Sequence, residues 1–226
     1  MSSTQYNLYK RNKIQIIQFC FGPFQENTYV LFTEGSQNSI VIDPGMSNQQ
    51  EEQIFEETLL HFNLIPSHIY NTHCHIDHIM GVAFLQKKFN TPFHHHPKEE
   101  SNIHRSEQMS ALWGIPYMAP IEKGIALIDG EQFSINDCPF NIIEVPGHAE
   151  GHVAFIQQEC GIILSGDVLF KESIGRTDLP GGSIDILEKS VRHLYQLPNE
   201  FEIFSGHGSN TTIGHEKKFN PFFRES

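Results

Sequence analysis

The sequence lacks the features that mark several large classes of protein. Its four cysteines are far apart in a chain of 226 residues and form no Cys-x-x-Cys pair, so a disulfide framework is not expected. Its apolar runs are short, and none reaches the roughly 20 residues that a membrane-spanning helix needs. The first thirteen residues are polar, and no signal-peptide core follows them. We therefore expect a soluble, cytoplasmic protein that binds no membrane.

Cations are also scarce. Lysine and arginine number 15 against 27 aspartates and glutamates, which gives a formal net charge of −12. A nucleic-acid-binding protein neutralises phosphates with lysine and arginine, and this chain has few of either. The expected partner is a small molecule and not a nucleic acid, and the composition makes no prediction about the oligomeric state.

Histidine, in contrast, is abundant. The 14 histidines nearly equal lysine plus arginine in number, and the densest cluster is Thr72-His73-Cys74-His75-Ile76-Asp77-His78. Residues two apart in an extended chain point the same way, so His73 and His75 can bind one metal ion. Asp77 and His78 lie at the turn into a helix and can serve a second ion, because imidazole and carboxylate suit zinc, iron or manganese.

Three later residues repeat one design. His148, Asp167 and His207 each follow an apolar run typical of a strand and then a glycine. The glycines allow tight turns, and a rigid sheet positions the side chains at its strand ends. Together with the first cluster, these residues predict one shared metal site.

The wider pattern predicts an α/β protein with sheet inside and helices outside. Strands are indicated at 13–19, 27–32, 39–42, 66–72 and 201–204, and helices at 48–62, 78–89, 184–197 and 211–219. Residues 1–12 form a polar N-terminal extension in this interpretation, and residues 97–125 give no clear pattern. His94, His95 and His96 lie on a short strand between prolines and are expected at the surface or the rim of the site. We expect His152 to begin a strand and not to bind metal.

The motifs in this order resemble a known family, the metallo-β-lactamase-fold hydrolases. They are Thr-His-Cys-His-Ile-Asp-His, Pro-Gly-His, Ser-Gly-Asp and Gly-His-Gly, and the resemblance extends from about residue 13 to 223. It implies a four-layer αβ/βα sandwich, two mixed sheets face to face with outer helices, in a single domain at 13–226. It also implies the ligands: His73, His75 and His148 for one metal, Asp77, His78 and His207 for the other, and Asp167 bridging them.

Within that family, the chain looks most like the short, single-domain members of the glyoxalase II (hydroxyacylglutathione hydrolase) branch. The similar segments are 167–170, 173–182, 206–208, 211–216 and 220–222. Longer members of the branch carry a C-terminal helical domain that grips glutathione, whereas few residues follow His207 here, so no separate helical domain is expected. Arg176 has two interpretations: it binds a substrate carboxylate, or it pairs with Asp178.

The resemblance implies hydrolysis of a thioester similar to a hydroxyacyl-glutathione. Two divalent ions, expected to be zinc with iron or manganese as alternatives, lower the pKa of a bound water from 15.7 to about 7. A hydroxide bridging the metals, with Asp77 and Asp167 as catalytic carboxylates, then attacks the carbonyl. Two alternatives stay open. A persulfide dioxygenase of similar fold would use one iron on His73, His148 and Asp167, and a lactone or other ester would be cleaved by the same step.

Overall fold

The computed structural model describes residues 5–224, and the first half of the chain forms one mixed sheet. Its strands follow one another across the sheet in chain order: β1 (Asn7–Arg11), β2 (Ile14–Phe21), β3 (Glu26–Thr33), β4 (Asn38–Ile42), β5 (Ile65–Tyr70), β6 (Phe93–His95) and β7 (Ile125–Ala126). Neighbours from β1 to β4 are antiparallel, and those from β4 to β7 are parallel.

The second half supplies the other sheet. Its strands are β8 (Gln132–Ile135), β9 (Cys138–Glu144), β10 (Val153–Gln157), β11 (Ile162–Gly166), β12 (Leu169–Phe170), β13 (Ser173–Ile174), β14 (Glu202–Ser205) and β15 (Thr211–Thr212). The sheet has the order β15-β14-β11-β10-β9-β8, and β12 and β13 form a small separate hairpin. Within this sheet β11 and β14 are parallel, so their carboxyl ends lie at the same edge.

Six α-helices connect the strands in the described part of the chain. They are α1 (Gln49–Phe62), α2 (Ile76–Ile79), α3 (Val82–Phe89), α4 (Glu100–Trp113), α5 (Ile184–Leu194) and α6 (Ile213–Phe219), and a 3₁₀ turn at Pro97–Glu99 precedes α4. Between residues 5 and 224, no helix combines the length and the apolar character needed to cross a membrane.

The two sheets pack face to face around the central core. Ile16 and Tyr29 of the first sheet and Phe140 and Phe155 of the second belong to one buried apolar cluster. Successive side chains of a strand point to opposite faces, so Ile17, next to Ile16, faces the helix layer instead. A strand covered on both faces needs such a continuous apolar run.

Helices cover the outer faces. Phe55 of α1 and Leu85 of α3 pack in the cluster outside the first sheet. Leu187 and Val191 of α5 pack with Ile163 outside the second sheet. The order of layers is therefore helix, sheet, sheet, helix, and the four-layer αβ/βα sandwich expected from the sequence is confirmed.

Part of the predicted N-terminal extension belongs to the sheet. Residues 7–11 form β1 and pair with β2 along its length. Arg11 donates a hydrogen bond to Glu202 of β14, which ties this edge strand to the other sheet. The extension is thus structured from Asn7 onward, and its residues 1–4 lie outside the described residues.

The single helix predicted at 78–89 is two helices. It begins earlier, at Ile76, and is interrupted between α2 and α3 at Gly81. The Gly81 N–H donates to the Pro44 carbonyl oxygen at 2.8 Å, which removes it from the helical hydrogen-bond ladder. The turn anchors the segment of the predicted metal ligands to the loop after β4.

Candidate metal centre

The seven predicted ligands meet at one edge of the sandwich. His73 and His75 lie in the loop after β5, and Asp77 and His78 lie in α2. The others follow strands of the second sheet or connect them: His148 between β9 and β10, Asp167 after β11, and His207 after β14. Strand ends from both sheets therefore bring these seven side chains together at one place.

The first donor group consists of His73, His75 and His148. One ligand atom of each lies within 4.8 Å of the others. His75 Nδ1 is 2.8 Å from His148 Nε2, within hydrogen-bond distance. Three imidazoles gathered this closely can bind one ion.

The second donor group consists of Asp77, His78 and His207. Their ligand atoms also lie within 4.8 Å of one another. His207 Nε2 is 3.2 Å from Asp77 Oδ2, and His78 Nε2 is 3.8 Å from the same oxygen.

Asp167 lies between the two groups. Its Oδ2 is 3.6 Å from His148 Nε2 and 3.5 Å from His207 Nε2. Its Oδ1 is 3.5 Å from His78 Nε2. One carboxylate thus contacts donors of both groups, which is the position that a bridging ligand requires.

The donor set fits divalent metal ions. His73 Nε2, His78 Nε2 and Asp167 Oδ1 are buried and have no hydrogen-bond partner among the described residues. A buried polar atom left unpaired costs about 1–3 kcal/mol. His73 and His78 belong one to each donor group, and together with Asp167 they form a further convergent set. A cation on each group satisfies all of them, and imidazole and carboxylate are ligands that zinc, iron and manganese accept.

A cavity opens onto the donors. Its volume is about 440 Å³, and five of the predicted ligands line its floor. The walls come from α4, from the turn before β3 and from the loop after β13, with these apolar side chains: Phe24, Met109, Trp113, Leu179 and Pro180. A small molecule that enters from solvent reaches the metal donors between these walls.

The Metallo-beta-lactamase superfamily matches residues 21–207. The chain belongs to this superfamily. The hydroxyacylglutathione hydrolase GloC of Haemophilus influenzae is 33% identical over 202 residues, which cover 88% of the chain and 93% of that protein. As a metallo-β-lactamase superfamily member, the chain is a metal-binding hydrolase.

Two solved structures of the superfamily are similar over nearly their whole length. TTHA1623 in a di-iron-bound form has a TM-score of 0.81 and 34% identity, covering 91% of this chain and 98% of that chain. The BLEG-1 B3 metallo-beta-lactamase has a TM-score of 0.83 and 34% identity, covering 92% and 99%. The shared superfamily fold places the donors of this chain at the sheet edge described above.

The two donor groups of this superfamily site differ in their proton affinity. Burial lowers the pKa of His75 to about 3 and that of His73 well below its usual range. Burial also lowers the pKa of His207, but Asp167 and Asp77 raise it more, to about 10. The pKa of His78 is likewise raised, since the same two carboxylates outweigh its burial.

Metal binding at pH 7 should therefore release protons. In the metal-free protein His78 and His207 are protonated at this pH, whereas a metal ion binds only the neutral imidazole. The affinity of the second group should rise from pH 7 towards about pH 10, the value to which the pKa of His207 is raised, by about tenfold per pH unit for that proton. Calorimetric titration with metal, in buffers of different ionisation enthalpy, measures the release. Binding without proton release would contradict the assignment of these two histidines.

A buried aspartate holds the metal-binding loop. Asp43 accepts hydrogen bonds from the Thr72 N–H at 2.7 Å and the Thr72 hydroxyl at 2.6 Å. Its Oδ2 is also 3.2 Å from His78 Nδ1, the nitrogen on the far side of the ring from the metal donors. Asn71 donates to the carbonyl oxygens of His73 and His78 at 3.2 Å and 2.7 Å. These contacts orient the predicted ligands from the side opposite the metal donors.

A second buried carboxyl group, that of Glu99, joins two loops of the site. It accepts hydrogen bonds from the Cys74 N–H and the Gly151 N–H, both at 2.8 Å. Asn102 of α4 donates a third at 2.8 Å. Glu99 thus links the loop of His73 and His75 to the loop after His148.

His148 and Asp167 have further supports. His148 Nδ1 is 2.8 Å from the Arg176 carbonyl oxygen, which orients the ring so that Nε2 faces the donors. His152 accepts a hydrogen bond from the Asp167 N–H at 3.0 Å, and its ring stacks on His73 with centroids 4.6 Å apart. His152, which the sequence placed outside the ligand set, therefore lies directly behind two ligands. The spacing Pro-Gly-His-x-x-x-His, with a second histidine four residues after His148, was the sequence signal that could have indicated this role of His152.

Of the two interpretations of Arg176, the structure shows the ion pair with Asp178. Its Nε and Nη2 donate to the two carboxylate oxygens of Asp178 at 2.8 and 2.7 Å. This pairing lowers the pKa of Asp178 to about 2. Arg176 lines the cavity, but both of these guanidinium donors are already bound to Asp178 of the same chain.

The His94–His96 tract lies away from the donors. His94 stacks on Tyr70, with ring centroids 4.5 Å apart, and His96 Nε2 is 2.9 Å from Glu144 Oε1. Within residues 5–224, these histidines belong to none of the convergent donor groups.

Gly206 provides a test of how closely the donors are packed. A Cβ on Gly206 would overlap Asp167 Oδ1 and lie 2.7 Å from His78 Cε1. We expect Gly206→Ala to displace both donors and to lower metal affinity by at least the 10–100-fold typical of second-layer contacts. Gly208→Ala is the matched control, because no atom lies within 4 Å of its Cβ position, and its positive φ costs only about 1–2 kcal/mol of stability. Equal metal content in the two variants would contradict this prediction.

Proposed function

We propose that the chain is a dinuclear metal hydrolase that cleaves a thioester similar to a hydroxyacyl-glutathione. One observation carries the proposal: two convergent donor groups lie on either side of Asp167, which contacts both, and five of these seven side chains line an open cavity. The similarity to the hydroxyacylglutathione hydrolase GloC supports the thioester as substrate class.

The residues would divide between two ions. His73, His75 and His148 would hold one, Asp77, His78 and His207 the other, and Asp167 both. Bound divalent ions supply a water acidic enough to be a nucleophile at neutral pH, and positive charge for the oxygen of the carbonyl. The donors accept zinc, our first candidate, as well as iron and manganese, and one related structure is described as di-iron-bound.

The protein's own side chains orient the attacking water and exclude bulk water from the bound substrate. Asp77 and Asp167 have lowered pKa values: burial raises both, but His78 and His207 lower them more. Both carboxylates therefore stay ionised, line the cavity and can accept a hydrogen bond from the water that attacks the substrate. The apolar walls remove water from the rest of the bound substrate and fix its approach.

Hydrolysis of S-lactoylglutathione tests the proposal. The protein is reconstituted with zinc, iron or manganese in parallel, and steady-state rates are compared with those of His75→Ala and of His193→Ala, an exposed histidine of α5. We expect turnover in the wild type and in His193→Ala, and its loss in His75→Ala.

The other results discriminate among the alternatives. Two bound metals without turnover would remove glutathione as the thiol and bring lactones and other esters forward. Oxygen uptake with a single bound iron would replace hydrolysis by persulfide oxidation.

A further inference from the structure

The cavity has one wall whose polar groups the proposed reaction does not use. Helix α4 presents one face to it, and the residues of this face recur at helical spacing: Asn102, Arg105, Ser106, Met109 and Trp113. Arg105 is the cation in this row, and it is half-buried.

The Arg105 guanidinium is held in place by neutral groups. Its Nη1 donates to Asn102 Oδ1 at 2.8 Å and to the Pro180 carbonyl oxygen at 3.4 Å. Asn102 is in turn fixed by its bond to buried Glu99. The arginine therefore spans from α4 to the loop across the cavity in a defined orientation, before any ligand arrives.

Arg105 has no counter-ion in the described part of the chain. It takes part in none of the salt bridges between residues 5 and 224, whereas Arg176, the other cation of the cavity, is engaged by Asp178. A guanidinium carries five N–H donors in a planar fork that matches a carboxylate. With one nitrogen on neutral acceptors, Arg105 retains donors for an anionic ligand.

Apolar side chains line the same cavity as this cation. Phe24 and Trp113 lie in contact, with ring centroids 5.6 Å apart, and both are large exposed rings that line the cavity. Met109 lies on the same face of α4 as Arg105. A ligand bound in this cavity therefore has metal donors, apolar side chains and a fixed positive charge around it.

We propose that Arg105 binds a carboxylate at the end of the substrate remote from the scissile carbonyl, with the apolar part of the substrate against Trp113 and Phe24. The inference rests on the proposed function, and it assigns the substrate class as carboxylate-bearing thioesters. Arg105 is on this account a specificity-determining residue of the same cavity.

The test uses a pair of ligands that cannot be hydrolysed. One is a thioether analogue of an acylated mercapto acid with a free carboxylate, and the other carries a neutral hydroxymethyl group in place of that carboxylate. Calorimetry gives the dissociation constants for the metal-loaded wild type, Arg105→Gln, Arg105→Lys and the matched control Arg192→Gln, at an exposed arginine of α5 that pairs with Glu188. The wild type and Arg192→Gln should bind the carboxylate at least about tenfold more tightly than the alcohol.

Arg105→Gln should bind both ligands equally, and Arg105→Lys should keep part of the preference, since it keeps the charge and loses the fork. An unchanged preference in Arg105→Gln would overturn the proposal, as would a wild type that does not distinguish the two ligands. Metal content and thermal midpoint are measured on each variant. A lowered midpoint with an unchanged preference would make Arg105 a structural link to Pro180 only.

This experiment is independent of catalysis. A carboxylate preference in a protein that hydrolyses no thioester would leave the Arg105 site standing and sink the proposed thioester function. Turnover of neutral and anionic thioesters at equal rates and equal affinities would sink the Arg105 site and leave the hydrolase standing.

Discussion

Replacing Asp167 with asparagine should deplete both metal ions. The carboxylate contacts His148 of one donor group and His78 and His207 of the other, so an amide weakens both at once. The loss of affinity should exceed the 10–100-fold that removal of an outer contact typically costs. Elemental analysis after dialysis against a weak chelator measures the two occupancies, and hydrolysis should fall with them.

The control for this variant is Asp137→Asn, at an exposed turn between β8 and β9. It removes the same charge from an exposed residue that belongs to no donor group of residues 5–224, and it should retain both metals. If Asp167→Asn lost one metal and kept the other at full affinity, the carboxylate would not be shared, and the dinuclear arrangement would need a different bridge.

Replacing Glu99 with glutamine should be the most destabilising conservative change in the site. Glu99 is fully buried, and its two oxygens accept from Cys74, Gly151 and Asn102. A glutamine NH₂ group would face at least one of these donors and leave it unpaired. Hydrogen bonds to charged groups are worth about 1.5–3 kcal/mol each, so we expect the free energy of unfolding to fall by about 3 kcal/mol.

Glu100→Gln is a matched control, because Glu100 is the next residue, is exposed and begins α4. A carboxylate in the first turn of a helix contributes only about 0.3–1 kcal/mol. Denaturant titration of the two variants, each with and without metal, separates the effects. Equal losses in both would show that Glu99 acts through the helix dipole and not through the loops that it joins.

The donor set was predictable because its signals are local. A strand that ends in histidines spaced two apart, or in a glycine followed by histidine or aspartate, predicts metal ligands from a few neighbouring residues. His73 and His75 do meet His148, and Asp167 does lie between the groups. The alternation of apolar strands with helical segments predicted sheet inside and helices outside, and the four-layer order came from the resemblance to the metallo-β-lactamase-fold hydrolases.

Helix α4 escaped prediction for a physical reason. Its buried residues are the polar Asn102 and Ser106, and Leu112 is exposed. A helix that turns one face to an open cavity and not to the core lacks the apolar periodicity by which helices are recognised. The sequence pattern therefore did not predict the helix that carries Arg105.

The supports of the ligands were missed because their partners are distant in sequence. Asp43 directly follows β4 and has a positive φ of 48°. Its contact with Thr72, 29 positions later, arises only when β4 and β5 pair. Glu99 reaches Gly151 across 52 positions in the same way.

The number and position of the metals test the central claim most directly. Crystals of the reconstituted protein, measured at the absorption edge of the bound metal, reveal each ion by its anomalous scattering. We predict two peaks per chain, one among His73, His75 and His148 and the other among Asp77, His78 and His207, with Asp167 between them. A single peak at full metal loading would contradict the dinuclear centre and the hydrolase built on it.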